Sequence, residues 1–193
     1  IKKIVGVNIP VILISTLYNG FSVPYVKVDD YKASYAATEY LIKNGHKRIA
    51  MLGGEKSDLI AGIPRLEGFI RALKDNKLEV RENLIKHKGF SFKEGIMAME
   101  ELLKEREKFT AIFAACDDIA VGAISVAHKR GLKVPDDISI IGYDNTQAAE
   151  MCYPALTTLA QPLYEMGQKS VKMIIDKITS SAEVKSVIMP FKI

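Results

Sequence analysis

The stretch from residue 110 to residue 144 constrains the fold more than any other part of this sequence. It contains an apolar run at 111–114, a helical stretch with an acidic start, and a second apolar run at 138–141. A strand, a helix and a second buried strand in this order make a right-handed parallel βαβ crossover. Both strands run into polar residues at their carboxyl ends, where open α/β sheets bind ligands. The stretch therefore predicts a ligand-binding α/β domain.

The helix inside this stretch carries signals at both ends. Asp118 is the predicted N-cap, because a short carboxylate can accept a hydrogen bond from a free amide of the first turn. Lys129 and Arg130 fall in the last turn before Gly131, where the helix dipole favours cations and glycine ends helices. We expect a helix that begins at Asp118 and ends before Gly131.

Strands and helices alternate along most of the chain. Helical patterns lie between the strands, and Ser91 with Glu94 fits a capping box. Five strands and four helices predict a five-stranded parallel sheet covered on both faces, a doubly wound α/β fold. The five apolar runs that we assign to this sheet are residues 23–28, 49–52, 84–87, 111–114 and 138–141. Residues outside this set, a strand at 11–14 and a helix after Pro162, are predicted to belong to a second lobe.

Composition excludes several classes of function. The net charge of +4 is scattered, so we do not expect this chain itself to bind nucleic acid. The two cysteines are far apart and favour a reducing cytoplasm over a disulfide framework. No apolar run reaches about 18 residues, the length that spans a membrane. Phosphate-loop and nucleophile-elbow motifs are absent, and the three histidines lack metal-ligand spacing, so we predict no cofactor, metal or catalytic site.

Five motifs occur in order along the chain and resemble the effector-binding region of the LacI/GalR family of bacterial transcription regulators. They are NGHKRIA at 44–50, RLEGF at 65–69, DDIAVGA at 117–123, VPDDISIIGYD at 134–144 and PALTTLAQP at 154–162. The resemblance implies a periplasmic-binding-protein-like (type I) fold with two lobes. It also implies a homodimer that binds DNA through an N-terminal helix-turn-helix domain, which is absent from this chain.

The resemblance also divides the chain into lobes. Residues 29–160, with 190–193, correspond to the family's C-terminal effector-binding lobe. Residues 1–28 and 161–189 correspond to part of the N-terminal lobe, and roughly half of that lobe has no counterpart here. We therefore expect a fragment in which one lobe is truncated.

Two charged residues are predicted to contact a ligand. Arg65 starts a helix that follows a strand, and its guanidinium can donate several hydrogen bonds to hydroxyls or to an anionic group. Asp144 ends the last strand of the predicted sheet, and its carboxylate can accept hydrogen bonds from hydroxyls. The alternatives are a surface arginine and a loop or cap aspartate. The resemblance, which implies effector contacts at both positions, favours binding.

The resemblance points to two further positions. Phe90 follows the predicted strand at 84–87, whose sequence pattern is weaker than those of the other strands. Its ring can present an aromatic face to a ligand ring, although aromatic residues more often belong to a core. Gln161 matches a position at the crossover between the lobes, where it can hydrogen-bond a ligand or act as a hinge residue.

Three positions bear on the identity of the ligand. Ser15 stands where many sugar-responsive members carry Asp, and Cys116 where many carry Asn, so the set of groups that read hydroxyls is depleted. Asp117 either contacts the ligand or acts as an anion at a helix N-terminus. If Ser15 and Cys116 line the cleft, Arg65 is less neutralised. We then expect a phosphorylated or otherwise modified sugar to bind better than an unmodified hexose.

The leading hypothesis is the effector-sensing core of a cytoplasmic LacI-type regulator. It would bind a small sugar-like ligand between the lobes and thereby control DNA binding. The alternative is an extracytoplasmic sugar-binding protein of a transporter, which has the same fold. A receiver-like domain or small α/β enzyme fits less well, because residues 11–14 and the helix after Pro162 are extra. Motifs 142–146 and 161–164 resemble members that bind a phosphorylated partner protein, but Gln147 stands where a basic residue would hold the phosphate.

Overall fold

The computed structural model describes residues 9–18, 20, 22–180 and 183–193, and the parts of the predicted segments that fall on the remaining residues lie outside this description. Contacts divide the chain into two compact units. The smaller unit comprises Ile1–Asp29 and Gln161–Phe191, and the larger unit comprises Asp30–Ala160 and Lys192–Ile193. The boundaries predicted from the sequence differ from these by one residue near residue 29 and by two near residue 190, and the boundary after residue 160 is the same.

The described residues form eight strands and six α-helices, and a short 3₁₀ turn at Glu82–Leu84 precedes the fourth strand. In chain order they are β1 (Leu13–Ile14), β2 (Tyr25–Val28), α1 (Asp30–Lys43), β3 (Ile49–Gly53), α2 (Gly62–Asp75), β4 (Ile85–His87), α3 (Phe92–Leu102), β5 (Ala111–Ala114), α4 (Asp117–Lys129), β6 (Ser139–Asp144), α5 (Gln147–Met151), β7 (Thr157–Ala160), α6 (Leu163–Thr179) and β8 (Val187–Met189).

The larger unit contains a five-stranded parallel sheet with the order β4-β3-β5-β6-β7. The predicted α/β class and the number of strands are confirmed, but one member of the set was wrong. Strand β2 belongs to the smaller unit, where it lies between β1 and β8 in a three-stranded parallel sheet. The fifth strand of the larger sheet is β7. Its sequence, TTLA, is half polar and gave no apolar run.

Burial explains why the central strands are so apolar. Every residue of β3 and β5 is buried, as expected for parallel strands that are covered on both faces. The ring of Phe69 on α2 stacks on that of Phe113 on β5, with 6.2 Å between ring centroids. Helix α1 packs against α2, and α3 packs against α4. These two helix pairs and the sheet enclose the core of the larger unit.

Glycines let the paired helices approach closely. A side chain at Gly68 would meet the backbone carbonyl of Tyr31, and one at Gly122 would meet the backbone carbonyl of Phe92. The RLEGF and DDIAVGA motifs therefore contain glycines that are required for helix packing.

The direction of the crossovers shows where a crevice opens at the edge of the sheet. The chain moves from β3 to β4 on one side of the sheet, and then returns past β3 to β5, β6 and β7 on the other. Because parallel crossovers are right-handed, α2 lies on one face of the sheet, and α3 and α4 lie on the other. The strand order therefore switches between β3 and β5. A crevice opens outside the carboxyl ends of these two strands.

Two predicted helix starts have different outcomes. The capping box is confirmed: Ser91 Oγ accepts a hydrogen bond from the Glu94 amide, and the Glu94 carboxylate accepts one from the Ser91 amide. The prediction that Asp118 caps α4 is wrong. Cys116 occupies the N-cap position without a side-chain capping bond, so Asp118 lies inside the first turn.

Candidate functional site

A cavity of about 330 Å³ lies at the topological switch point of the larger unit. Its walls come from the segments that follow the carboxyl ends of β3, β4, β5 and β6. The lining residues are Asp58, Ala61, Arg65, Phe90, Cys116, Asp118, Asp144 and Thr146. Four successive strand ends therefore converge on one small space that has both polar and apolar walls.

Arg65, on the inner wall of this cavity, belongs to a buried ion pair. Arg65 Nε and Nη2 each lie 2.9 Å from Asp30 Oδ1, and Nη1 donates to the backbone carbonyl of Ala115. The Tyr143 hydroxyl donates to the same carboxylate oxygen over 3.0 Å, and its ring centroid lies 3.7 Å from the Arg65 guanidinium carbon. Only 7% of Arg65 and 5% of Asp30 are exposed to solvent. We refer to these three residues as the Asp30–Arg65–Tyr143 cluster.

Charge and burial act in opposite directions on this cluster. Burial alone would lower the pKa of Arg65, but Tyr143 and the carboxylates of Asp30 and Asp144 outweigh it, and the pKa is raised. Burial also raises the pKa of Tyr143, so its hydroxyl stays protonated and donates to Asp30. The cluster thus places the Arg65 guanidinium against the buried Asp30 carboxylate.

Asp144 has a strained backbone. Its φ is +118° and that of Asn145 is +59°, both in the region that residues with a side chain rarely adopt. Such conformations persist where the surrounding structure holds them, and they concentrate at functional sites. Strand β6 therefore ends in a backbone kink beside the cavity wall to which Asp144 contributes.

Phe90 forms the aromatic part of the wall. Its ring packs directly against Gly54, where an added side chain would overlap the ring. The Arg65 guanidinium carbon lies 6.0 Å from the ring centroid. The second glycine of Gly53-Gly54 therefore makes room for an aromatic ring at the cavity.

Cys116 also lines the cavity, but its thiol already forms a hydrogen bond within the protein. Its Sγ donates to the backbone carbonyl of Phe90 over 3.1 Å. Burial raises the pKa of Cys116 to about 12, so the group is a neutral thiol at physiological pH. It contributes shape to the wall and little polar contact.

Asp117 does not line this cavity, although it was among the predicted ligand contacts. Its side chain is fully buried, one carboxylate oxygen accepts from the Thr146 amide over 2.7 Å, and the other accepts from the Thr158 hydroxyl. Gly142 leaves room for this carboxylate, because a Cβ there would overlap it. Asp117 therefore ties the segments after β6 to β7 and has a structural role.

Two predicted contacts belong to the smaller unit. Ser15 follows β1 with a φ of +54°, and Gln161 follows β7. The cavity is formed by residues of the larger unit alone. The ligand contacts of Ser15 and Gln161 therefore stay predictions.

Sequence reasoning missed Asp58, which lines the wall, and Asp30, which lies behind Arg65. The contact of Asp30 with Arg65 spans 35 residues of sequence, so no local pattern reveals it. Asp58 was not considered; its Oδ1 accepts from the amides of Ile60 and Ala61. The expectation that Arg65 is less neutralised depended on Ser15 and Cys116 both lining the cleft, and it did not include the pair that Arg65 forms with Asp30.

Among the described residues, no group of three or more His, Cys, Asp and Glu side chains is arranged to hold a metal ion. No helix in the described part of the chain is long and apolar enough to cross a membrane.

Comparison with known proteins shows which family the chain resembles. A profile described as a periplasmic binding protein-like domain matches residues 38–193. The chain is 36% identical to catabolite control protein A of Priestia megaterium over 186 aligned residues. The aligned region covers 96% of this chain and 56% of that protein. The chain thus spans little more than half the length of this relative.

Solved structures show the same relationship. A putative LacI transcriptional regulator from Bacillus cereus subsp. cytotoxis superposes with a TM-score of 0.90 at 35% identity, covering 99% of this chain and 68% of that one. The complex of the transcriptional regulator CelR with cellobiose gives a TM-score of 0.86 at 28% identity, covering 99% and 66%.

Proposed function

The chain belongs to the periplasmic binding protein-like domains of LacI-family transcriptional regulators, and we propose that its larger unit senses a small sugar-like effector in the cavity at Arg65 and Asp144. The regulator would act in the cytoplasm as a homodimer. Effector binding would alter the affinity of a helix-turn-helix domain for DNA.

The observation that carries this proposal is the convergence of complementary hydrogen-bonding groups with one aromatic ring. Asp144 and Asp118 offer carboxylate oxygens, each of which accepts hydrogen bonds from hydroxyls. Arg65 has five N–H groups, of which three contact Asp30 and Ala115, so two remain for a ligand. The ring of Phe90 provides an apolar surface for the C–H face of a sugar. A volume of about 330 Å³ suits a small molecule.

The known relatives support a carbohydrate-like effector and a regulatory role. One structural neighbour was solved with cellobiose bound. A sugar-binding protein of a transporter would share the cavity, but the relatives described above are transcription regulators.

Calorimetry on this chain tests the proposal. The titrants would be cellobiose, glucose, ribose and adenosine. Because the Asp144 carboxylate would accept hydrogen bonds from the ligand, we expect Asp144→Asn to weaken the best titrant about tenfold or more. The matched control is Asp75→Asn on the exposed end of α2, where Asp75 pairs with Arg71. That control should change affinity less than about twofold.

Two results would contradict the proposal. The first is that none of the titrants binds while circular dichroism shows a folded chain. The second is that one of them binds and Asp144→Asn leaves its affinity unchanged, which would place the site elsewhere.

A further inference from the structure

The described residues that line the cavity carry an excess of negative charge. Asp58, Asp118 and Asp144 are carboxylates, and Arg65 is the one cation among these lining residues. Asp30 lies behind Arg65 and compensates that cation at 2.9 Å. A ligand would therefore meet three rim carboxylates and a guanidinium whose charge is already balanced.

Carboxylates also lie beside the N-termini of α2 and α4, although neither helix has a side-chain capping bond. A helix N-terminus attracts anions because its first amides lack intrahelical partners. At α2, Asp58 accepts hydrogen bonds from the amides of Ile60 and Ala61, at 2.8 and 3.3 Å. At α4, Asp117 and Asp118 both lie in the first turn. An anionic ligand group would face carboxylates at the positions that otherwise favour it.

We propose that this cavity selects neutral or cationic hydroxylated effectors over phosphorylated ones, and that Asp30 is the positioning residue that sets this preference by compensating Arg65. The inference rests on the proposed function and names its ligand class. It reverses the expectation drawn from Ser15 and Cys116. Ser15 and Cys116 suggested that the positive charge of Arg65 is left uncompensated at the cavity. The contacts of Arg65 show that Asp30 compensates this charge.

Asp30 acts on the ligand through Arg65, because it is buried behind the guanidinium and does not line the cavity. Its carboxylate oxygen accepts hydrogen bonds from Arg65 and from Tyr143. An asparagine has the same shape and keeps an acceptor oxygen, but it removes the negative charge. Asp30→Asn would therefore leave the guanidinium in place with an uncompensated charge facing the cavity.

The test measures affinity for pairs of ligands that differ by one phosphate. Calorimetry would compare glucose with glucose 6-phosphate, and adenosine with adenosine 5′-monophosphate. Glucosamine serves as a cationic probe. For the unmutated chain, we expect the phosphorylated member to bind on the order of tenfold more weakly, because like charges repel strongly near a partly desolvated site. Glucosamine should bind at least as tightly as glucose.

In Asp30→Asn, the affinity ratio of phosphorylated to neutral ligand should rise by about tenfold. Asp75→Asn changes the net charge by the same amount at an exposed ion pair, and its ratio should stay within about twofold of the unmutated value. A ratio that rises equally in both variants would indicate only a general charge effect and would overturn the role of Asp30.

A second variant keeps the test decisive if Asp30→Asn does not fold, as circular dichroism would reveal. Asp118→Asn removes a rim carboxylate from an exposed position and should raise the same ratio. Tighter binding of the phosphorylated member by the unmutated chain would overturn the inference and leave the proposed function standing. Failure of every probe to bind a folded chain would contradict the proposed function itself.

Discussion

The two units of this chain are built from the same elements, parallel strands and amphipathic helices, but they bury these elements to different extents. In the larger unit, β3 and β5 are buried at every residue. In the smaller unit, no residue of β8 is fully buried, and one of the two residues of β1 is exposed. The larger unit therefore has a closed core, whereas the sheet of the smaller unit is covered only in part.

Two of the helices show the difference most directly. Helix α4 buries eight of its 13 residues, whereas α6 buries three of its 17. A hollow of about 770 Å³ runs along α6 and is lined by residues of that helix alone. The exposed apolar side chains of α6 are Leu163, Tyr164, Val171, Ile175 and Ile178. An amphipathic pattern thus predicts that a helix forms, but the amount of apolar face that becomes covered depends on the packing partners.

This comparison predicts that stability is concentrated in the larger unit, and the buried ion pair should reveal it most strongly. Arg65→Ala leaves the Asp30 carboxylate buried without its cation, which costs about 3–5 kcal/mol of unfolding free energy. Lys172→Ala on the exposed surface of α6 should change the free energy by less than about 0.5 kcal/mol. Urea unfolding followed by circular dichroism measures both values. A loss below about 1 kcal/mol for Arg65→Ala would show that the larger unit does not depend on the pair.

The same variant shows what the sequence could and could not reveal about the site. Arg65, Phe90, Cys116 and Asp144 were identified from strand ends and family motifs, and they do line one cavity. The partner of Arg65 was not identified, because the contact with Asp30 is made between two helices and leaves no periodic pattern. Because the pair is buried, Arg65→Ala should lower stability as well as ligand binding.

The fold was predictable where burial is uniform and less so where it is mixed. The apolar runs that became β3, β5 and β6 stand out because parallel strands covered on both faces contain few polar residues. Strand β7 has two polar residues followed by two apolar ones, which gives no apolar run, and it was missed. Strand β2 was recognised but placed in the wrong sheet, since its partner β8 lies about 160 residues away in the sequence. Strand membership is a long-range property that a local pattern does not contain.

Matched isoleucine truncations test the comparison through packing alone. Ile112 on β5 is fully buried, whereas Ile175 on α6 is 52% exposed. Ile112→Ala removes buried methyl groups and leaves a cavity, which should cost about 2–5 kcal/mol. Ile175→Ala should stay within about 0.5 kcal/mol of the unmutated chain, because water already covers much of the side chain. Equal losses in the two variants, measured from urea midpoints, would mean that α6 is covered in solution and would break the comparison.

The smallest effect concerns how the helices of the two units begin. Helix α3 starts with a reciprocal capping box, in which the Ser91 amide lies 2.9 Å from Glu94 Oε2 and the Glu94 amide lies 3.3 Å from Ser91 Oγ. Helix α6 starts after Pro162 without a side-chain capping bond. Ser91→Ala removes one half of the box and should cost about 1 kcal/mol of unfolding free energy. Ser57→Ala is the matched control, because Ser57 is exposed and bonds only to the Glu55 side chain at 3.3 Å.

The capping box also gives this prediction a pH dependence. The Ser91 amide and then its hydroxyl lower the pKa of Glu94, so the folded state binds this proton less readily than the unfolded state does. The resulting stability is fully present above the unfolded pKa of about 4.3 and is lost as the pH falls through the lower, folded value. The difference between the unmutated chain and Ser91→Ala should therefore shrink in acid, because protonated Glu94 no longer favours the hydroxyl hydrogen bond. It should not vanish, since the bond from the Glu94 amide to Ser91 Oγ does not require the charge. Urea midpoints measured from neutral pH down to about pH 3 follow this change. A constant difference over that range would show that the hydrogen bond from the Ser91 hydroxyl to ionised Glu94 contributes nothing to the start of α3.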